Sequence, residues 1–155
     1  MPQPGIENLP ALAARIQEAG VDVAYAVSGR PIPLPRAVEL SAYRVAQEAL
    51  TNTLRHAGPG AQARLEVRYA PHALTVEVTD DGGGRAATAN RGLSEPPGHG
   101  IVGMRERVAL FGGTLEAGPL RERGYRVAAV FPIENKAGGA GDGPEGRTET
   151  RKGRA

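Results

Sequence analysis

The chain has no cysteine and no tryptophan, and only two phenylalanines, four tyrosines and three histidines among its 155 residues. Without cysteine there is no disulfide framework and no thiolate metal site. Three histidines, at positions 56, 72 and 99, give little basis for a multi-histidine metal site. The scarcity of rings means that any core must be built mainly from Val, Leu, Ile and Ala, and a hydrophobic fraction of 40% is enough for one. No run of about 18 apolar residues could span a bilayer. The start, Met1-Pro2-Gln3-Pro4-Gly5, is not a basic segment followed by an apolar one, so neither a membrane contact nor a secretory leader is expected, and the cytoplasm is the expected location. A net charge of +2 gives little reason to expect a nucleic-acid-binding surface.

What is present reads as one domain with ragged ends. Ile6, Leu9, Leu12 and Ile16 recur at helical spacing and Gly20 follows as a stop. Val21, Val23, Tyr25 and Val27 alternate as a strand. After Pro31, Pro33 and Pro35, a long helix is predicted to begin near Pro35 and to end at His56-Ala57, before Gly58-Pro59. Two alternating runs (Leu65, Val67, Tyr69 and Leu74, Val76, Val78) flank a turn at Ala70-Pro71-His72. Arg85 to Pro97 has neither period and reads as a loop. Ile101, Met104, Val108 and Phe111 mark another helix, closed by Gly112-Gly113. Thr114 to Ala117 and Tyr125 to Phe131 form a last pair of strands. Residues 134–155 mix Gly with alternating charges and cannot offset the entropy of ordering, so a disordered tail is expected. Helices interleaved with hairpin-linked strands predict a two-layer α/β sandwich whose sheet is mixed and mostly antiparallel.

Three groups of residues could carry chemistry. On the long helix Glu48, Asn52 and His56 stand four apart, slightly more than one turn, and form a polar stripe. The stripe could offer a base, a metal-ligand oxygen and a phosphate contact, or it could simply face water. Asp80-Asp81-Gly82-Gly83-Gly84 follows a strand as a hairpin turn would, yet the next residues show no alternation. Three glycines are also more than a turn needs. The alternative is a ligand lying close to the backbone, with the acceptor-only Asp80 aimed at an NH or NH₂ group. Gly98-His99-Gly100-Ile101-Val102-Gly103 matches the dinucleotide pattern G-x-G-x-x-G, but Pro96 and Pro97 exclude the strand that pattern requires. The protein-kinase glycine loop fails too, because no Val-Ala-x-Lys strand follows. What remains is either a hinge loop or a glycine-rich opening to a helix, whose free N–H groups suit a phosphate.

Their order and spacing carry a resemblance. Tyr43-Arg44-Val45-Ala46-Gln47-Glu48-Ala49-Leu50-Thr51-Asn52, with Arg55-His56-Ala57, resembles the N box of sensor histidine kinases. Asp80 to Gly84 is similar to their first glycine box, and Gly98 to Val108, with Gly103-Met104-Arg105-Glu106-Arg107, to the second. The wording is similar to that of the subgroup paired with NarL-like response regulators, and the likeness runs from about Gly5 to Ile133. It implies the ATP-binding (Bergerat) fold shared by gyrase, Hsp90, histidine kinases and MutL, with helices on one face of the sheet. It further implies that Asn52 binds Mg²⁺ and that Asp80 takes the adenine amino group beside Gly82 and Gly84. Arg85 to Pro97 would be the ATP lid. Gly98, His99, Gly100, Ile101, Val102 and Gly103 would hold phosphates, with His56 near them, and Glu48 would act as the base.

No Phe-rich box separates the glycine boxes, and the lid is short, both in agreement with that subgroup. The three histidines all lie within or after the motifs, so the phosphoacceptor is expected on a separate dimerisation domain, with residues 1–20 as the link from it and 21–133 as the catalytic domain. The resulting expectation is an ATP:protein-histidine phosphotransferase that does not phosphorylate itself alone. A serine kinase of anti-sigma type and a non-catalytic ATP-sensing domain share the fold. The Met104-to-Arg107 ending speaks against the first, and intact Glu48 and Asn52 against the second.

Overall fold

The computed structural model describes residues 3–82 and 99–134. The chain enters through a single 3-10 turn, Ile6–Asn8, into helix α1 (Leu9–Glu18). Strand β1 (Asp22–Ser28) follows, then the long helix α2 (Arg36–His56). Strands β2 (Gln62–Ala70) and β3 (Ala73–Asp80) come next. Helix α3 (His99–Ala109) and strands β4 (Thr114–Pro119) and β5 (Tyr125–Pro132) complete the described fold. Pro35 is the extended residue capping α2 rather than part of its first turn. A proline there still ends the preceding extended segment, because its fixed φ suits both conformations.

The five strands lie in the order β1-β2-β3-β5-β4. Only β1 and β2 are parallel, and α2 is their crossover; the other three pairings are antiparallel. The sheet is mixed and mostly antiparallel, and the short Ala70-to-Ala73 connection requires the antiparallel β2–β3 pairing within it. The three helices cover one face, with α1 over β1, α3 over β4, and α2 between them across β2, β3 and β5. Period-two alternation puts Leu65 and Val67, Leu74, Val76 and Val78, and Val127, Ala129 and Phe131 on that face, where they are buried. Phe131 meets Phe111 edge-on at 6.0 Å between ring centroids. The first helix joins the same core through Leu9, Leu12, Ala13 and Ile16, and Arg15 donates to the Tyr43 hydroxyl on α2 at 2.8 Å. No helix among the described residues is long and apolar enough to cross a membrane.

The opposite face of the sheet is charged. Glu66 accepts from Arg64 at 2.9 Å, Arg68 reaches Glu66 at 3.4 Å and Glu77 at 3.1 Å, and Arg126 pairs with Glu77 from β5. Burial would raise the Glu77 carboxyl, but hydrogen bonds and charge from Arg126 and Arg68 outweigh it and hold Glu77 below its ordinary 4.5. A carboxyl whose folded value is depressed adds stability above its unfolded value and loses it as the pH falls through the folded one. Glu77→Gln is therefore expected to cost up to about 1 kcal/mol near neutrality. Thermal melts taken between about pH 7 and about pH 3 should show the gap to wild type closing below pH 4.5; a constant gap would mean the pairing contributes nothing.

Candidate functional site

Strand parity and helix pitch converge on one cavity of about 500 Å³ between α2, the start of α3 and the sheet. On β3, Asp80 follows Leu74, Val76 and Val78 on the helix-covered face, at the end of the strand where the core opens. Its carboxylate is held at both oxygens. Oδ1 accepts the Gly82 N–H at 2.8 Å and Oδ2 accepts the Thr53 hydroxyl at 2.9 Å. Gly82 has φ +80°, so the turn that brings its N–H back onto Asp80 requires glycine. Gly124, in the turn between β4 and β5, packs so closely that a Cβ there would stand 2.1 Å from the Asp80 carbonyl oxygen.

Asn52, Thr53 and His56 from α2 line the same cavity, with Ile101 from α3 and Val78, Tyr125 and Val127 from the sheet. The volume lies within the ordinary range for small-molecule sites. Apolar walls and an acceptor at one end suit a flat heterocycle bearing an amino group. Among the described residues, neither the Asn52 amide nor the His56 imidazole makes a hydrogen bond, so both are available to a ligand. The described residues contain no group of three His, Cys, Asp or Glu side chains able to hold a metal by themselves. The Asn52 amide oxygen is a neutral oxygen donor, which would suit a Mg²⁺ ion only together with waters and the phosphates of a ligand, since this ion keeps several waters and takes substrate phosphates.

Glu48 lies apart from this cavity. It lines a second cleft of about 330 Å³ with Arg44, Gln47, Gly100, Gly103, Met104 and Arg107. A Cβ on Gly100 would come within 2.0 Å of the Glu48 Oε1, so glycine at 100 makes room for the carboxyl. The opening of α3 is the partition between the two spaces, with Ile101 lining one and Gly100 the other. Glu48 forms no ion pair among the described residues, although two arginines share its cleft.

The structure thus brings Asn52, His56, Asp80, Gly82 and Ile101 together, and sets Glu48, Gly100 and Gly103 beside them. Val102 lines neither space and is 52% exposed. His99 is the first residue of α3. Gly84, Gly98 and the loop Arg85 to Pro97 lie outside the described residues, as does the tail after Glu134. The motifs in the sequence point to neither Thr53 nor Gly124. A β-branched polar residue inside a helix, next to Asn52, was the available signal for the first; nothing in the sequence marks the second.

A sequence profile described as "Histidine kinase-, DNA gyrase B-, and HSP90-like ATPase" matches residues 37–135. The chain belongs to that family. Among curated relatives, sensor histidine kinase LnrJ of Bacillus subtilis is 31% identical over 84% of this chain and 32% of its own length. Sensor histidine kinase YxjM of the same organism is 30% identical over 83% of this chain and 30% of its own length. The chain therefore spans about a third of the length of these relatives. Among solved structures, the catalytic domain of histidine kinase ThkA matches with a TM-score of 0.60 at 14% identity, over 83% of this chain and 93% of that one. The histidine kinase domain of an Erythrobacter litoralis blue-light activated kinase matches with a TM-score of 0.60 at 20% identity, over 83% of this chain and 59% of that one. At such identities the likeness concerns the fold, and the mixed five-stranded sheet with its helices is the α/β fold of histidine kinase catalytic domains.

Proposed function

We propose that this histidine-kinase-type domain binds Mg-ATP in the cavity beneath α2 and donates the γ-phosphate to a histidine on a dimerisation and phosphoacceptor domain. From there the phosphoryl group would pass to a response regulator of the NarL type. In this reading residues 1–20 lead in from the acceptor domain, and 21–133 do the chemistry. The observation that carries the proposal is the Asp80 carboxylate, fixed at both oxygens at the end of an apolar cavity, with an uncommitted Asn52 amide on the neighbouring helix.

Adenine enters between Ile101 and the sheet residues Val78, Tyr125 and Val127, and its amino group donates to Asp80. The phosphates extend along α2 past Asn52 and His56 toward the first turn of α3, whose N–H groups and dipole favour negative charge. A magnesium ion bound at the Asn52 oxygen would neutralise phosphate charge. The incoming imidazole approaches from the cleft that holds Glu48. As its nitrogen bonds to the γ-phosphorus and the bond to the β-phosphate oxygen breaks, releasing ADP, Glu48 orients the ring or accepts its proton. Positioning and charge stabilisation supply most of the acceleration.

If Asn52 meets the ion while Asp80 meets the base, the two separate in a titration. Asn52→Ala should weaken ATP binding mainly when Mg²⁺ is present, by on the order of tenfold for one lost ligand. Asp80→Asn should weaken it with or without the ion. Calorimetry with and without a chelator reads both, and identical losses in the two variants would refute these assignments.

A further inference from the structure

Thr53 is a buried hydroxyl in a cavity whose other walls are mostly apolar, being 3% exposed. Valine would fill the same volume and is hardly worse as a helix residue, so packing alone does not explain a hydroxyl there. A threonine inside a helix ordinarily satisfies itself on the carbonyl four residues back. That carbonyl, Ala49 O, is indeed 3.2 Å away. The Asp80 Oδ2 is nearer, at 2.9 Å, and ionic. One hydroxyl has a single proton, and a carboxylate attracts it more strongly than an amide oxygen that already accepts a helix N–H.

We propose that Thr53 is a positioning residue for nucleobase selection: it donates to Asp80, fixes the plane of that carboxylate together with the Gly82 N–H, and leaves only acceptors facing the base. This rests on the ATP reading given above and adds a residue and a rule of selectivity to it. Because Asp80 can only accept, the Thr53 hydroxyl must donate to it, so its lone pairs are what it can offer to the cavity. Thr53 and Asp80 then favour an amino group at the purine edge where guanine carries a carbonyl. Two hydrogen bonds at opposite carboxylate oxygens also remove the rotation that would otherwise have to be frozen on binding.

The test is a double-mutant cycle on the full 155-residue chain, titrated with ATP and with GTP in the presence of Mg²⁺. Thr53→Val should weaken ATP binding about tenfold, the effect of one charge-assisted hydrogen bond. It should also narrow the preference for ATP over GTP by a similar factor. Thr53→Ser should stay within about threefold of wild type, because it keeps the donor. In an Asp80→Asn background Thr53→Val should cost no more than about twofold, since the carboxylate whose orientation Thr53 fixes is no longer there to meet the base. Additive losses, equal losses for ATP and GTP, or a Thr53→Ser as weak as Thr53→Val would each overturn the role and leave Thr53 a packing residue. If a melt shows Thr53→Val unfolded, Thr53→Ala carries the same cycle to the same criteria. A wild type that binds no ATP overturns the ATP reading itself, whereas wild type and Thr53→Val binding ATP equally well overturns only the inference about Thr53.

Discussion

Replacing Asp80 with asparagine is expected to lower ATP affinity roughly 10- to 150-fold, the cost of about 1.5–3 kcal/mol for a lost charge-assisted bond. Affinity for GTP should change far less. The substitution keeps shape and removes an acceptor. Both carboxylate oxygens already accept from the protein, one from Gly82 N–H and one from the Thr53 hydroxyl. In the variant the amide oxygen stays with the Gly82 N–H, because that backbone donor has nowhere else to turn. The NH₂ group then points at Thr53 and the cavity, where it meets the adenine amino group donor to donor. Thr53 can reverse and accept, so the fold should survive with a small shift in melting midpoint. Titration with both nucleotides decides it: undiminished ATP affinity would contradict the role of Asp80, and an equal loss for GTP would mean that the pocket rather than the base contact was damaged.

Most of the fold was legible because its elements obey simple periods. The alternation Leu74, Val76, Val78 fixes which face of β3 is buried, and the same period carries Asp80 onto that face. The end of α2 at His56 follows from Gly58, which adopts φ +78°. The polar stripe on α2 does not face a single space. Steps of four residues advance about 40° beyond a full turn each time, so the line from Glu48 to His56 winds about 80° around the helix. That drift is enough to place Glu48 in the cleft beside α3 while Asn52 and His56 face the sheet cavity. Thr53 lies about 100° from Asn52 on the helix, and a stripe drawn through every fourth residue leaves it out. Its partner is 27 residues away on β3, a distance that no local pattern spans.

Gly100 shows a further limit of reading motifs. The glycine-rich opening of α3 points to close approach by a phosphate, but what a side chain at position 100 would meet is the Glu48 carboxyl of the same chain, which would have to move aside. One glycine can meet both demands, and only the packing reveals the second. On the outer sheet face, the alternation Arg64, Glu66, Arg68 announces a solvated surface. Their partner Glu77 on β3, and its link to Arg126 on β5, depend on strand register.

Glu48→Gln is expected to have the largest effect of any single change: a loss of about 10²- to 10⁴-fold in phosphoryl transfer, with ATP affinity within about threefold of wild type. A base or orienting carboxylate acts on the attacking imidazole in the transition state, so its loss should fall on the rate and not on ground-state binding. The geometry agrees with this division. Glu48 stands outside the cavity that holds Asp80, free of ion pairs among the described residues, in a cleft that adjoins the start of α3. From there it can meet a group arriving from another domain. Of the chain's own histidines, His56 lines the cavity that holds Asp80 and His72 lies in the turn between β2 and β3, so neither faces that cleft, while His99 is the first residue of α3. An in-line attack needs the nucleophile opposite the leaving oxygen. The most direct test is incubation of the chain with γ-labelled Mg-ATP, alone and with a two-helix hairpin bearing the acceptor histidine of a sensor kinase. The expected result is no label on the chain, slow acid-labile labelling of the hairpin by wild type, and almost none by Glu48→Gln. Acid-labile label on the chain alone, or equal labelling of the hairpin by both proteins, would contradict the account.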